Sequence, residues 1–153
     1  MQPGLRIVII GISGSGKTTM ARYLAGLYEI PHIELDALHW QPNWTMEALA
    51  IFRERVAQAL SGPAWVTDGN YSKVRDLVWP RATVLVWLDY PMPVILWQLI
   101  LRTTRRVIRR EKLWNDNRET IRGALFSKDS LLLYVLRNYR RSRASWRELL
   151  SGP

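Results

Sequence analysis

Cysteine is absent from this chain of 153 residues, and histidine occurs only twice. Without cysteine the chain has no disulfides, no thiolate nucleophile and no cysteine-bound zinc. The two histidines, His32 and His39, are seven positions apart and make only a weak case for a metal site. Apolar residues make up 48% of the chain and charged residues 23%, which is ordinary for a globular domain and excludes disorder, collagen and coiled coil. The length fits a single domain.

Long uninterrupted apolar runs are also missing. The N-terminus, Met1-Gln2-Pro3-Gly4, leads directly into a strand-like run, unlike a secretory signal. The most apolar stretch, residues 84–101, contains Asp89, Pro91 and Pro93. It therefore divides better into a strand and the start of a buried helix than into a membrane span. We expect a soluble, cytoplasmic protein.

Positive charge is confined to the last third of the chain. Residues 1–101 contain eight Lys/Arg and eight Asp/Glu, whereas residues 102–153 contain fourteen Lys/Arg and five Asp/Glu, so the whole net charge of +9 lies there. Arginine binds phosphate through paired hydrogen bonds. The asymmetry indicates a polyanionic partner, either nucleotide phosphates or a nucleic-acid backbone, or else a solvated basic surface.

Short β-branched runs alternate with helical patterns. Strands are predicted over residues 5–10, 30–35, 64–67 and 83–88. Helices are predicted over residues 17–27 and 45–60, from Pro93 to about Arg110, and from about Ser130 to Tyr139 or beyond. Thr45 is the expected N-cap of the second helix. The alternation predicts an α/β fold with a mostly parallel sheet, and no fifth strand is evident after residue 127.

A phosphate-binding motif follows the first predicted strand. Residues 11–18 read Gly-Ile-Ser-Gly-Ser-Gly-Lys-Thr and match G-x-x-x-x-G-K-[ST] in full. Glycines let the backbone N–H groups point at phosphate oxygens, and the helix that follows adds the positive end of its dipole. Lys17 is expected to reach the β- and γ-phosphates, and the Thr18 hydroxyl to bind Mg²⁺. The predicted nucleotide-binding set is Gly11, Ser13, Gly14, Ser15, Gly16, Lys17, Thr18 and Thr19.

Three aspartates fall at the carboxyl ends of predicted strands, where ligands bind in parallel sheets. Asp68 is the first choice for the metal site, with a turn-forming Asp-Gly as the alternative. Asp36 is the candidate that orients or deprotonates an acceptor hydroxyl, with an N-cap or Asx turn as the alternative. Asp89 is interpreted as a turn or cap residue.

An aromatic cluster lies between Asp36 and the predicted helix over 45–60. Trp40 and Trp44, with His39, would suit the wall of an acceptor pocket or ordinary packing. We assign both histidines to packing.

Arginines recur on one face of the helix that starts near Pro93. Arg102, Arg106 and Arg109 share that face, and the polar residues 113–119 follow it. Such an arrangement suits a lid that closes on phosphates and excludes water. We therefore predict a single domain with a core at 1–101 and 128–153 and an arginine-rich lid at about 102–127.

The chain resembles the small P-loop kinases and, more narrowly, the adenylate-kinase-like family of DNA topology modulation proteins. The motifs that carry the resemblance are the P-loop, Leu35–Trp40, Trp65–Tyr71, Trp87–Pro91 and Asn117–Glu119. The resemblance implies a three-layer P-loop fold, the use of ATP and Mg²⁺, and lid arginines at Arg102, Arg106 and Arg118. It also implies that Asp68 belongs to the metal site and that Asp36 faces the acceptor.

Two departures limit what the resemblance implies. Asn70-Tyr71 replaces the continuation typical of adenylate kinases, so AMP as the acceptor does not carry over. The fifth strand, after which such folds contact adenine, is not evident.

Two functions from different classes follow. The first is an ATP-dependent phosphotransferase that acts on a small acceptor through Lys17, Asp36 and the lid arginines. The second is an ATP-binding regulatory protein that contacts DNA or RNA through its arginine-rich last third. A weaker third option is dimerisation through the apolar helix start at residues 94–97.

Overall fold

The computed structural model describes residues 4–109, 111, 113–117 and 130–151. The chain packs as two compact units. The first comprises Met1–Gly11, Gly16–Leu88 and Lys112–Asn117, and the second comprises Ile12–Ser15, Asp89–Glu111 and Arg118–Pro153. The division into core and lid at residues 102 and 127 stays a prediction.

The first unit alternates strands and helices, as the sequence predicts. Its elements are β1 (Arg6–Ile10), α1 (Lys17–Tyr28), β2 (His32–Glu34), α2 (Leu35–His39), β3 (Trp40–Gln41), β4 (Thr45–Met46), α3 (Leu49–Ala59), β5 (Trp65–Asp68), α4 (Arg75–Val78) and β6 (Val84–Trp87). Single 3₁₀ turns occupy Ser72–Val74 and Trp79–Arg81, and tight turns that include left-handed residues occupy Pro42–Trp44 and Trp114–Asp116.

Four parallel strands form the sheet, in the order β2-β5-β1-β6. All four strands were expected, because the β-branched runs of strands buried on both faces show little alternation. The residues of β5 are all buried, as are the last four of β1. Between the sheet and α1, one core cluster brings together Ile7, Ile9, Ala21, Ile30, Ala64 and Val66. The carboxyl ends of β2, β5 and β1 consequently lie side by side.

The predicted N-cap at Thr45 is wrong. Thr45 and Met46 form β4, which pairs antiparallel with β3, and α3 begins only at Leu49. The preceding Asn43 and Trp44 adopt left-handed backbone conformations, with φ of 60° and 56°, and these turn the chain back on itself. Met46 fits the apolar spacing of a helix in the sequence, but its side chain is 66% exposed and does not belong to the core.

The second unit is built on two helices, α5 (Met92–Ile108) and α6 (Leu131–Ser151). Ile95 and Leu99 are buried on α5, and Val135 and Trp146 on α6. α6 confirms the helix predicted from about Ser130 to Tyr139 or beyond. Among the residues described, no helix is both long enough and apolar enough to cross a bilayer.

Asp89 does not cap α5, whose N-cap is Pro91, and it is instead an ion-pair partner in the second unit. The guanidinium of Arg143 donates hydrogen bonds of 2.8–2.9 Å to Asp89 Oδ2, and Arg147 lies 3.7 Å from the same carboxylate. The Tyr139 hydroxyl donates to the Tyr90 carbonyl at 3.0 Å. These contacts attach α6 to the segment that precedes α5.

Candidate active site

The residues of the P-loop motif are divided between the two units. In the first unit, Gly16 is the N-cap of α1 and has a left-handed conformation with φ of 86°. A helix that starts directly after a glycine-rich loop can bind an anion through the N–H groups of its first turn. Lys17 and Thr18 are half-buried, and Thr19 is exposed.

In the second unit, the motif requires a glycine at position 14. Gly14 has a φ of 87°, and an added Cβ would lie 3.1 Å from the Ile95 carbonyl oxygen and 3.3 Å from Leu99 Cβ. Ser15 is buried, and within the described residues its hydroxyl has no hydrogen-bond partner. Ser13 is half-buried.

Asp68 lies at the end of β5 and is 5% exposed. Its Oδ2 accepts a hydrogen bond of 2.7 Å from Thr18 Oγ1, and its Oδ1 accepts one of 2.7 Å from His32 Nε2. The structure therefore brings together the two residues predicted to bind the metal. A hydroxyl beside a carboxylate offers the oxygen donors that Mg²⁺ prefers, so Thr18 and Asp68 fit that ion. Among the described residues no group of three or more His, Cys, Asp or Glu side chains could hold a metal ion.

His32 is a site residue that the sequence analysis missed, because it assigned both histidines to packing. A second missed residue is Glu34, whose carboxylate accepts hydrogen bonds of 2.7 Å from Arg22 and from the indole N–H of Trp114. Strand periodicity places His32 and Glu34 on the same face of β2. That alternation, next to the predicted end of a buried strand, was the signal that could have identified them.

Asp36 lies in the first turn of α2, whose N-cap is Glu34, so the alternative of an N-cap at Asp36 is wrong. The Tyr71 hydroxyl donates a hydrogen bond to Asp36 Oδ1. Burial raises the pKa of Asp36 above its ordinary value, and the hydrogen bond from Tyr71 and the charge of Lys17 act in the opposite direction. The pKa of Tyr71 is raised, first by burial and then by the charge of Asp36, so Tyr71 keeps its proton and remains a donor.

The short loop after β5 contributes two further contacts. The Asn70 side chain bonds to the backbone of Gly11, at the start of the P-loop motif. Gly69 has a φ of 139°, and a Cβ there would lie 2.9 Å from Leu35 Cβ. The Asp-Gly pair therefore allows α2, which carries Asp36, to pack against this loop.

The aromatic cluster is real and larger than the sequence indicated. The imidazole of His39 packs against the rings of Trp40, Phe52 and Tyr71, with ring centroids 4.6–5.0 Å apart. Trp44 contacts both Trp40 and Trp114 edge to face. Burial lowers the pKa of His39, which keeps the imidazole neutral near pH 7. The assignment of His39 to packing agrees with these contacts.

Two of the three predicted lid arginines are on α5. Arg102 and Arg106 are half-buried on α5 in the second unit, and Arg106 Nε is 4.0 Å from Glu111. Arg118 lies outside the described residues. The role of all three in a lid stays a prediction.

No protein-family model matches the chain. It is similar to a shikimate kinase from Synechococcus elongatus, with 26% identity over 76% of this chain and 72% of that protein. A shikimate kinase from a second Synechococcus strain has the same identity and coverage.

Solved structures share the fold at lower identity. A gluconokinase from Sinorhizobium meliloti covers 100% of both chains with 18% identity and a TM-score of 0.51. A shikimate kinase from Bacteroides thetaiotaomicron has 19% identity and a TM-score of 0.53, covering 91% of this chain and 80% of that one. These similarities confirm the predicted α/β fold with a mostly parallel sheet.

The narrower resemblance to DNA topology modulation proteins is not supported by these comparisons. The complete P-loop motif, the parallel sheet and the similarity to shikimate kinases lead to a coarser assignment. The chain is a P-loop kinase, and the comparisons leave its acceptor unspecified.

Proposed function

We propose that this kinase transfers the γ-phosphoryl group of ATP, in the presence of Mg²⁺, to a hydroxyl group of a small molecule. The observation that carries the proposal is the 2.7 Å hydrogen bond between Thr18 Oγ1 and Asp68 Oδ2. It joins the last residue of the P-loop motif to a carboxylate at the end of the neighbouring strand. A magnesium–nucleotide site in a P-loop protein requires this pair of groups.

The phosphates of ATP would bind through the motif at the start of α1. Backbone N–H groups would donate to phosphate oxygens, and the Lys17 ammonium would neutralise the β- and γ-phosphates. The position of Gly16 and Lys17 at the start of α1 favours this role. The proposed nucleotide-binding residues remain Gly11, Ser13, Gly14, Ser15, Gly16, Lys17, Thr18 and Thr19.

Thr18 and Asp68 would hold Mg²⁺, directly or through its water molecules. When bound, the ion supplies positive charge that stabilises the phosphoryl group during transfer. Asp68 is a hydrogen-bond acceptor on both oxygens, so its carboxylate is held in one orientation before the ion binds. Preorganised groups of this kind need little rearrangement during the reaction.

Asp36 would accept a hydrogen bond from the acceptor hydroxyl and take its proton. Burial raises the pKa of Asp36, which makes the carboxylate a better proton acceptor than an ordinary aspartate. The hydrogen bond from Tyr71 fixes the orientation of the carboxyl group. Lys17, whose charge acts on Asp36, favours the ionised form that the reaction needs.

Arg102, Arg106 and Arg118 are proposed to neutralise the transferring phosphoryl group when a lid closes. This step rests on the sequence resemblance and on the suitability of arginine for phosphate. The acceptor is proposed to be a small hydroxylated molecule. Shikimate and gluconate are the first acceptors to test, because the similar proteins are kinases named for them.

The contacts of the described arginines do not favour binding to nucleic acid. Arg143 and Arg147, both in the basic last third, are engaged with Asp89 inside the second unit. Binding to DNA or RNA therefore stays a prediction from charge alone, as do dimerisation and a cytoplasmic location.

The proposal is tested by ATP turnover with Mg²⁺ and a panel of hydroxylated acceptors, and by removal of the metal with a chelator. Turnover should require both the metal and one class of acceptor. Lys17→Ala should abolish it, whereas Lys73→Ala, which changes an exposed lysine of the same unit, should not. Turnover that survives Lys17→Ala would reject the assignment, as would a wild-type protein that binds no nucleotide.

A further inference from the structure

His32 is hydrogen-bonded to the second carboxylate oxygen of Asp68. Phosphoryl transfer does not in general require a histidine at such a position. The imidazole of His32 is 13% exposed, and its Nε2 lies 2.7 Å from Asp68 Oδ1. A carboxylate is only an acceptor, so His32 Nε2 carries the proton and donates it. The two Asp68 oxygens thus have one donor each, Thr18 on Oδ2 and His32 on Oδ1.

This pairing follows from the order of the strands in the sheet. β2 lies beside β5, with Glu34 opposite Asp68 in the register. His32 is two residues before Glu34 and therefore shares its face of the strand. From that diagonal position the imidazole reaches the carboxylate across the strand boundary.

The far side of the imidazole faces a second carboxylate. His32 Nδ1 is 3.8 Å from Glu34 Oε1, which is too long for a hydrogen bond. Glu34 is itself held at 2.7 Å by Arg22 and by Trp114. The imidazole therefore lies between Asp68, to which it is hydrogen-bonded, and Glu34, whose carboxylate is fixed by Arg22 and Trp114.

We propose that His32 is a positioning residue for the metal site, which holds the Asp68 carboxylate so that Oδ2 remains beside Thr18. The inference rests on the proposed magnesium–nucleotide function. Groups that hydrogen-bond to a metal-binding carboxylate commonly change metal affinity 10- to 100-fold when they are removed. His32 would act on Mg²⁺ only through Asp68, and it would have no role in binding the nucleotide by itself.

Two variants separate the hydrogen bond from simple packing. His32→Leu keeps an apolar side chain in the strand but removes the donor. His32→Gln keeps an N–H donor near the position of Nε2. The probe is Mn²⁺, whose affinity for the protein–ADP complex is measured by electron paramagnetic resonance, and ADP affinity without metal is measured by calorimetry.

His32→Leu should weaken Mn²⁺ binding to the ADP complex by about 10-fold or more, with metal-free ADP affinity unchanged, and His32→Gln should restore most of the loss. Unchanged Mn²⁺ affinity in His32→Leu would overturn the inference. So would a parallel fall in metal-free ADP affinity, since a collapsed pocket would then explain both. A wild-type protein that binds no ADP would instead refute the proposed function on which the inference depends.

A measurement on the unmodified protein guards against a variant that does not fold. Because the chain has only two histidines, ¹⁵N NMR of the imidazoles is assigned from one spectrum of a His39→Gln variant. His32 should be protonated at Nε2 and bonded there to a carboxylate. A His32 imidazole protonated only at Nδ1 would contradict the positioning role.

Discussion

The side-chain amide of Asn70 holds the backbone of Gly11 through both of its ends. Asn70 Oδ1 accepts from the Gly11 N–H at 3.4 Å, and Nδ2 donates to the Gly11 carbonyl. Gly11 follows β1 and Asn70 follows β5, and these strands are neighbours in the sheet. The side chain therefore links the two strands two residues beyond their last register pair, Ile9 with Asp68, and fixes the point at which the P-loop motif begins.

Asn70→Asp should weaken nucleotide binding. The substitution keeps the size of the side chain but places a carboxylate oxygen against the Gly11 carbonyl, where a donor stood before. Loss of a hydrogen bond of this kind costs about 1 kcal/mol, or roughly 5-fold in affinity, and repulsion adds to it. ADP affinity measured by calorimetry checks the prediction.

Asn138→Asp is the matched control for this change. Asn138 Nδ2 also donates to a backbone carbonyl, that of Tyr134 on α6, far along the chain from the motif. ADP affinity should remain at the wild-type value. Equal losses in the two variants would show that the contact with Gly11 has no special importance.

Gly69→Ala should destabilise the fold. The φ of 139° is unfavourable for alanine, and the new Cβ would lie 2.9 Å from Leu35 Cβ. Backbone strain of this type costs about 1–3 kcal/mol, and the contact with Leu35 adds to that cost. The free energy of unfolding in urea provides the measurement.

Gly26→Ala is the control for this prediction and should have the opposite sign. Gly26 lies within α1, and nothing stands within 4 Å of an added Cβ. Alanine in a helix interior is more stable than glycine by about 0.5–1 kcal/mol. If both glycine variants were stabilised, the strain inferred at Gly69 would be absent.

The parts of the fold and site that the sequence predicted are those with a local signal. The P-loop motif stands between a strand and a helix, and Asp68 ends a buried run, so both could be located without knowing the strand order. The contacts of His32 and Asn70 depend on which strands are neighbours. Since the order β2-β5-β1-β6 is not written in any local pattern, these contacts could not be derived in advance.

The error at Thr45 has a different physical origin. The left-handed conformations of Asn43 and Trp44 are stabilised by contacts distant in sequence, such as the 3.0 Å hydrogen bond from the Trp44 N–H to Asn117 Oδ1. The spacing of apolar residues in the sequence does not reveal such long-range contacts. The hairpin of β3 and β4 therefore replaced the first turn of the expected helix.

Asp36→Asn should stabilise the folded protein near pH 7 while it abolishes turnover. Burial raises the pKa of Asp36 in the folded state, so the folded protein binds that proton more tightly than the unfolded chain. The contribution of the carboxyl group to stability is therefore greatest at low pH and is lost as the pH rises through the folded-state pKa. Asparagine does not titrate and avoids this loss.

Unfolding in urea at several pH values measures the effect of Asp36→Asn. The stability advantage of the variant should grow as the pH rises through the pKa of Asp36 and then level off. Asp76→Asn is the comparison, because its carboxylate is exposed and paired with Arg53, which lowers its pKa. That variant should not gain stability with rising pH. An advantage of Asp36→Asn that shrinks with rising pH would contradict the assigned direction of the shift.

Asn117→Ala should lower the free energy of unfolding by more than the value of a single hydrogen bond. Asn117 is 5% exposed. Its Oδ1 accepts from the Trp44 N–H at 3.0 Å, and its Nδ2 donates at 2.9 Å to the carbonyls of Gln41 and Trp114. Alanine would remove all three of these part-buried hydrogen bonds, and each such bond contributes about 0.5–1.5 kcal/mol. Urea unfolding followed by tryptophan fluorescence should register the loss.

Asn115→Gly is the control for Asn117→Ala. It tests whether the loss of stability depends on the burial of the asparagine. Asn115 is exposed and donates one hydrogen bond to the Trp40 carbonyl, which water can replace. Its φ of 54° is a conformation that glycine adopts without strain, so the backbone is not penalised. The loss of stability should therefore be no more than about 1 kcal/mol. A loss as large as that of Asn117→Ala would mean that the two asparagines hold residues 113–117 equally, in spite of their different exposure.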